Sequence, residues 1–256
     1  MGVGDEIMAS GMARGAALHG HRVAFGDGQR IIWSNHSSIV FEGNPNVASP
    51  GQEREKSLRW VRYYKGNRIY SKLAQDHSRW IWNYEFKAPR GEIYLSSFER
   101  ECAAALPISY VLVEPNVLVH KSWTQNKFWP YYQELVDRLD VEVFQFSYPG
   151  MRTRLNNVTL IETPDMRTAL VYLSRAGLYI GPEGGLQHGA AAFDVPAVVL
   201  FGGWSPPSMM GYDDHVNLTG DAEACGSHLR CEHCQKAMRA ISVEQVYEAV
   251  VGRLAS

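Results

Sequence analysis

The chain has 256 residues, 45% of them hydrophobic and 20% charged, with a formal net charge of −2. That is globular composition, enough for one large domain or two small ones. Without an apolar run of about 18 residues no membrane span is expected, no secretory leader pattern opens the chain, and four Cys are too few for a disulfide scaffold, so a reducing cytosol is the expected setting.

In chain order, "GDEIMASGMARGAAL" (4–18) has helical spacing. "RVAFG" (22–26), "RIIWS" (30–34) and "SIVFE" (38–42) read as short strands, and "SFERECAAAL" (97–106) as a helix. From there the pattern alternates between strand and helix. Strands are expected at 110–115, 141–146, 158–162, 178–181 and 197–202. Helices are expected at 128–139, at 164–176 with Pro164 in the first turn, at 185–193, and at 242–255 behind a Ser242 cap. This rhythm predicts a parallel, doubly wound sheet over 108–256, preceded by a smaller domain over 1–107.

The short strand at 178–181 runs into Gly181-Pro182-Glu183-Gly184-Gly185, and a helix follows at once. Ligands of open α/β sheets bind beyond the carboxyl ends of the strands. Glycines let the backbone approach a ligand, and a helix start offers free N–H groups and a positive dipole end that suit phosphate. A tight turn with nothing bound is the competing reading.

The order of several features resembles the C-terminal domain of glycosyltransferase family 9, the ADP-heptose:lipopolysaccharide heptosyltransferases and their relatives. The matching residues are Lys127, Trp129 and Pro130 opening a helix, then Glu183, Gly184 and Gly185, His188, Ala190 to Ala192, and the "P-hydrophobic-FG" strand from Pro196 to Gly202. The resemblance spans about 108–202. It extends to "GVGDEIMASGMAR" near the N-terminus, where Asp5 falls on the family's candidate catalytic base. The resemblance implies a GT-B fold: two Rossmann-type domains facing a cleft. It also implies inverting transfer of a sugar from a nucleoside diphosphate, ADP-heptose-like or related, to a glycan or glycolipid acceptor, with no required metal.

Asp5 would then be the general base. Lys127 and the N–H groups of Gly184 and Gly185 would stabilise the departing diphosphate. Glu183 would hold the donor sugar's hydroxyls, and His188 would bond sugar or phosphate. Trp204 and Ser205 would line the same crevice. On the residues alone, Asp5 as a helix cap, His188 as a brace for its loop and Trp204 as a packed loop aromatic remain alternatives. The sequence departs from the family in three ways. The strand before Gly-Asp would fall before Met1, the N-terminal domain is short, and Glu183 replaces the commoner Asp. Either the start lies upstream or the first strand is missing.

Two further stretches stand out. "CGSHLRCEHC" places Cys225, His228, Cys231 and Cys234 three apart, a candidate structural zinc set with reduced thiols or a disulfide as alternatives. Between Arg54 and Arg90 lie ten Lys/Arg against three Asp/Glu, interleaved with eight aromatics. This stretch suits an anionic acceptor or an anionic membrane surface, or is a solvated face with its aromatics turned inward. No nucleic-acid partner is expected, since no RNA or DNA module accompanies it. The expected location is the cytoplasm of a bacterium or its phage, with peripheral contact at the inner membrane. Two rival functions stand beside the enzyme: a non-catalytic nucleotide-sugar or glycan binding protein of the same fold, and a nucleotide-sugar epimerase, for which the extra acidic and His groups cannot be placed.

Overall fold

The computed structural model describes residues 1–117 and 122–255. Its main sheet has six parallel strands: β5 (Tyr110–Val113), β6 (Val143–Ser147), β7 (Thr159–Glu162), β8 (Ala176–Pro182), β9 (Ala197–Phe201) and β10 (Val216–Thr219), in the order β10-β9-β8-β5-β6-β7. β5 and β9 are buried along their whole length, as strands covered on both faces must be. The alternation of strand side chains splits the interior in two. One face carries Leu112, Phe144, Tyr179, Val199 and Phe201 under α5 (Met166–Leu173) and α6 (Gly185–Ala192). The other carries Val111, Val113, Ile180, Val198 and Leu200 against α4 (Tyr132–Arg138), α8 (Glu232–Ala240) and α9 (Val243–Leu254).

The chain starts in the middle of this sheet at β5, builds outward through β6 and β7, and returns to the other side of β5 as β8. A topological switch point therefore lies between the carboxyl ends of β5 and β8, where open α/β sheets leave a crevice.

The N-terminal half opens with α1 (Val3–Ala17). It also holds a parallel pair, β1 (Arg22–Phe25) with β2 (Leu58–Val61), the one-turn helix α2 (Ser37–Phe41), an antiparallel hairpin of β3 (Ser71–Leu73) and β4 (Trp80–Trp82), and α3 (Ser97–Ala104). α1 leans on α6, so Ile7, Met8 and Ala13 share a core with Leu170, Ala190 and Ala191 of the sheet unit.

Several elements differ from the sequence expectations. Residues 38–42 form the helix α2 where a strand was expected, because a five-residue apolar run fits either period. The 30–34 stretch contributes one bridge, Gly26 with Ile31. α4 begins at Tyr132, later than expected; Pro130 disfavours helical backbone at Trp129. α5 begins after Asp165, whose side chain accepts the Thr168 N–H at 2.7 Å, so Pro164 precedes the cap. The Ser242 cap of α9 forms as expected, accepting the Gln245 N–H. α7 (Pro207–Met210), β10 and α8 were not foreseen.

Candidate active site

The carboxyl ends of β5 and β8, the start of α6 and the start of α1 enclose a cavity of about 520 Å³. Asp5, Lys127, Glu183, Gly184, Gly185, His188, Trp204 and Ser205 all line it. Residues far apart in sequence thus meet at the switch point.

Gly4 is what lets them meet. A Cβ there would stand 2.7 Å from Cδ2 of His188 and 3.5 Å from Cα of Gly185. With no side chain at Gly4, the first turn of α1 seats directly on the first turn of α6. This delivers Asp5, 7% exposed, to the rim of the Gly184–Gly185 turn. Its carboxylate accepts the Gly2 N–H, so it does close the start of α1. It also accepts a short hydrogen bond from the Tyr70 hydroxyl and one from Arg68 Nη2 at 3.3 Å. Burial first, and the Asp5 charge second, push the Tyr70 phenol well above its usual range, so it stays a donor. Asp5 therefore closes the start of α1 and lines the cavity in one geometry.

Lys127, 8% exposed, ends the 3-10 turn Ser122–Lys127. Its ammonium forms a short ion pair with Glu183 Oε2, reaches the Glu183 carbonyl at 3.3 Å, and lies 4.2 Å from the centre of the Trp204 ring. Ser205 Oγ donates to the same Oε2 at 3.0 Å. Burial works to raise the Glu183 carboxyl, but Lys127, His188 and Ser205 outweigh it and hold the group below its ordinary value. His188, deep in α6, pairs its Nδ1 with the Tyr212 hydroxyl at 2.8 Å. Burial pushes it down to about 4, so it is neutral at physiological pH. The N-cap of α6, Gly184, offers no side-chain cap, and a Cβ there would meet nothing within 4 Å. The helix start therefore presents open N–H groups to the cavity.

Trp204 packs edge-on to Trp82 at 5.3 Å and donates its indole N–H to the Ser227 carbonyl at 2.8 Å. The basic stretch is split by direction. Arg68, Tyr70, Trp80 and Trp82 line the cavity, Tyr63 is buried, and most of its cations, among them Arg59, Arg62, Lys65 and Arg79, point to solvent. Arg68 and Tyr70 were missed as site residues because nothing in sequence ties them to Asp5, more than 60 positions away. Glu114 was missed too, although a carboxylate ending the apolar run "YVLVE" is a legible signal.

The cysteine cluster needs one correction. The donor atoms of Cys225, Cys231, Cys234 and His233 all lie within 4.8 Å of one another, with Cys225 Sγ 3.2 Å from Cys234 Sγ. His228 does not join them. Gly226 turns the chain at φ 64°, and residues 226–228 run along the β3–β4 hairpin: Trp80 N–H donates to the Gly226 carbonyl and His228 N–H to the Ser78 carbonyl. His228 therefore packs edge-on to Trp80 at 4.7 Å. Cys231 caps α8, whose first turn brings His233 and Cys234 round. Three thiols and an imidazole fit a tetrahedral metal.

A family model described as glycosyltransferase family 9 (heptosyltransferase) matches residues 68–241. The chain belongs to glycosyltransferase family 9. It is a glycosyltransferase with the α/β architecture of its GT-B-like relatives. One similar structure is the bacterial iron-containing dodecameric glycosyltransferase TibC from enterotoxigenic E. coli, with TM-score 0.67 and 15% identity over 100% of this chain and 76% of TibC. TibC in complex with ADP-D-beta-D-heptose gives TM-score 0.64 and 13% identity over 100% of this chain and 74% of that one. E. coli ADP-heptose lps heptosyltransferase II gives TM-score 0.46 and 16% identity over 72% of this chain and 56% of that one. Among curated protein sequences none matches significantly. No helix among the described residues is long and apolar enough to cross a membrane.

Proposed function

We propose that this family 9 protein transfers a sugar, heptose or a relative, with inversion from a nucleoside diphosphate to a hydroxyl of a glycan or glycolipid acceptor. Residues 108–256 hold the donor and 1–107 face the acceptor. The observation that carries the reading is the convergence of a buried carboxylate, a buried cation and an uncapped helix start on one cavity. Asp5 takes the proton from the acceptor oxygen; Tyr70 and Arg68 hold its carboxylate in place while one lone-pair direction stays free. As the anomeric bond breaks, charge gathers on the diphosphate. The Gly184 and Gly185 N–H groups receive it with Lys127, whose pairing with Glu183 keeps the cation fixed until the anion arrives. Glu183 and Ser205 orient sugar hydroxyls, and neutral His188 bonds sugar or phosphate without adding charge. Trp204 walls the cavity.

The exposed cations of 54–90 suit an anionic acceptor or an anionic membrane surface, which supports a reading of the reaction as surface-glycan synthesis on the cytoplasmic side of a bacterial membrane. Cys225, Cys231, His233 and Cys234 would hold zinc or iron, the latter suggested by the iron of TibC. Bound there, the metal would pin the segment after β9, since Cys225 N–H and Cys234 Sγ both bond the Gly203 carbonyl next to Trp204. A thermal-shift screen against ADP, UDP, GDP, dTDP and their sugar conjugates tests the donor site. Selective stabilisation that Lys127→Ala loses is the expected result, with Asp5→Asn binding the same nucleotide but losing transfer by on the order of 10²- to 10⁴-fold. No shift with any nucleotide overturns the reading. Binding with no turnover under any acceptor would favour the non-catalytic binding protein.

A further inference from the structure

The cavity continues past the start of α6 to the carboxyl end of β5, where Glu114 follows Val113. Glu114 is 1% exposed. Its Oε1 accepts the Asn116 N–H at 2.9 Å and Asn116 Nδ2 at 2.8 Å. Asn116 is held in turn by the Thr153 carbonyl at 2.9 Å and by the Arg152 and Thr153 N–H groups. The carboxyl is therefore fixed in orientation. Its other oxygen, Oε2, has no hydrogen-bond partner. A buried polar atom left unpaired in a native structure needs a reason, and this one belongs to a residue of the cavity wall.

Resting on the donor site proposed above, we propose that Glu114 reads the nucleobase of the donor, its Oε2 pairing with a polar atom on the edge of the base. Two observations select the base over the diphosphate. The anion features, Lys127 and the α6 start, belong to the β8 side of the switch point, whereas Glu114 stands on the β5 side. Phe146, Tyr148 and Pro149, at and beyond the end of β6, line the same cavity and offer flat apolar surface for an aromatic ring.

Burial pushes the Glu114 carboxyl up to about 8, against the pull of the Asn116 donors and the Phe146 N–H. At neutral pH it is thus a carboxylic acid, and it donates to a ring nitrogen or carbonyl of the base. The titratable groups facing it are Tyr132 from α4, Tyr148 after β6 and Tyr179 from β8. Burial raises all three phenols, so none titrates near neutrality. Lys127, Glu183, His188, Asp5, Arg68 and Asp165 line other parts of the cavity.

The test is calorimetric titration of ADP, UDP, GDP and dTDP, with pyrophosphate alongside, into wild type and Glu114→Gln between pH 7 and 9. Gln keeps the volume and a donor but cannot ionise. The tightest nucleotide should lose about tenfold in affinity for wild type between pH 7 and 9, since only the protonated form binds. Glu114→Gln should show no such loss, and pyrophosphate should show none with either protein. Matching pH profiles for the two proteins would overturn the assignment of Glu114. A loss shared by pyrophosphate would overturn the choice of the base. Failure of every nucleotide to bind would instead sink the donor site itself.

Discussion

Removing Lys127 isolates the electrostatic logic of the cleft. In Lys127→Ala the Glu183 carboxylate, itself 7% exposed, stays buried without its cation. Removing one partner of a buried pair costs about 3–5 kcal/mol. The structure sets a tighter bound, because Glu183 can take up a proton. Neutralising a carboxyl with an ordinary value of 4.5 at pH 7 costs about 3.4 kcal/mol, at 1.36 kcal/mol per unit. The charge-related loss should therefore approach but not exceed this figure, a fall in Tm of about 7–14 °C for a chain of this size. The sign with pH is distinctive. In wild type the Glu183 value lies below its unfolded one, so its contribution is present above about 4.5 and fades as pH falls further. In the variant the value is raised instead, so the penalty shrinks as pH falls from 7 towards 4.5. Urea denaturation at pH 7 and pH 5 should show a gap between the proteins that narrows by more than half, and Lys127→Ala with Glu183→Gln should recover most of the loss. A gap equal at both pH values, or below about 0.5 kcal/mol as for an exposed pair, would refute this account of the cleft.

Two other predictions concern the scaffold. Gly4→Ala should lower stability by about 1–3 kcal/mol in chemical denaturation, because its methyl would press on His188 and the two helix starts must separate. Metal content measured by mass spectrometry should be about one equivalent in the wild-type protein and in His228→Ala. It should drop in His233→Ala and Cys231→Ser, with chelation lowering Tm in proportion.

What the sequence made legible follows the physics of each element. The central parallel strands are apolar throughout and bracketed by turns, so β5, β8 and β9 could be read directly. The pieces that escaped are short or ambiguous in period: α2 is one turn of apolar residues, and β10 is a four-residue edge strand. The regular spacing of Cys225, His228, Cys231 and Cys234 suggested one face, but a turn at Gly226 breaks that period before α8 begins, and His233 takes the fourth place. Within the cleft, the motif-borne residues were visible because Gly-rich turns and helix starts have local signatures. Tyr70 and Arg68 meet Asp5 across more than 60 positions, which no local pattern encodes, whereas Glu114 closes an apolar run that could be read.

The seating of α1 on α6 has an electrostatic corollary. Each helix start carries roughly half a positive charge, so the joint at Gly4 and Gly185 gathers about one unit of it at the cavity wall. Asp5 lies within that field as its resident counter-ion. Under the proposed function it would compete with the very diphosphate that the field attracts. Under the proposed function the general base would thus also be a brake on how tightly substrate and spent nucleotide are held, and it would favour release once the sugar has gone.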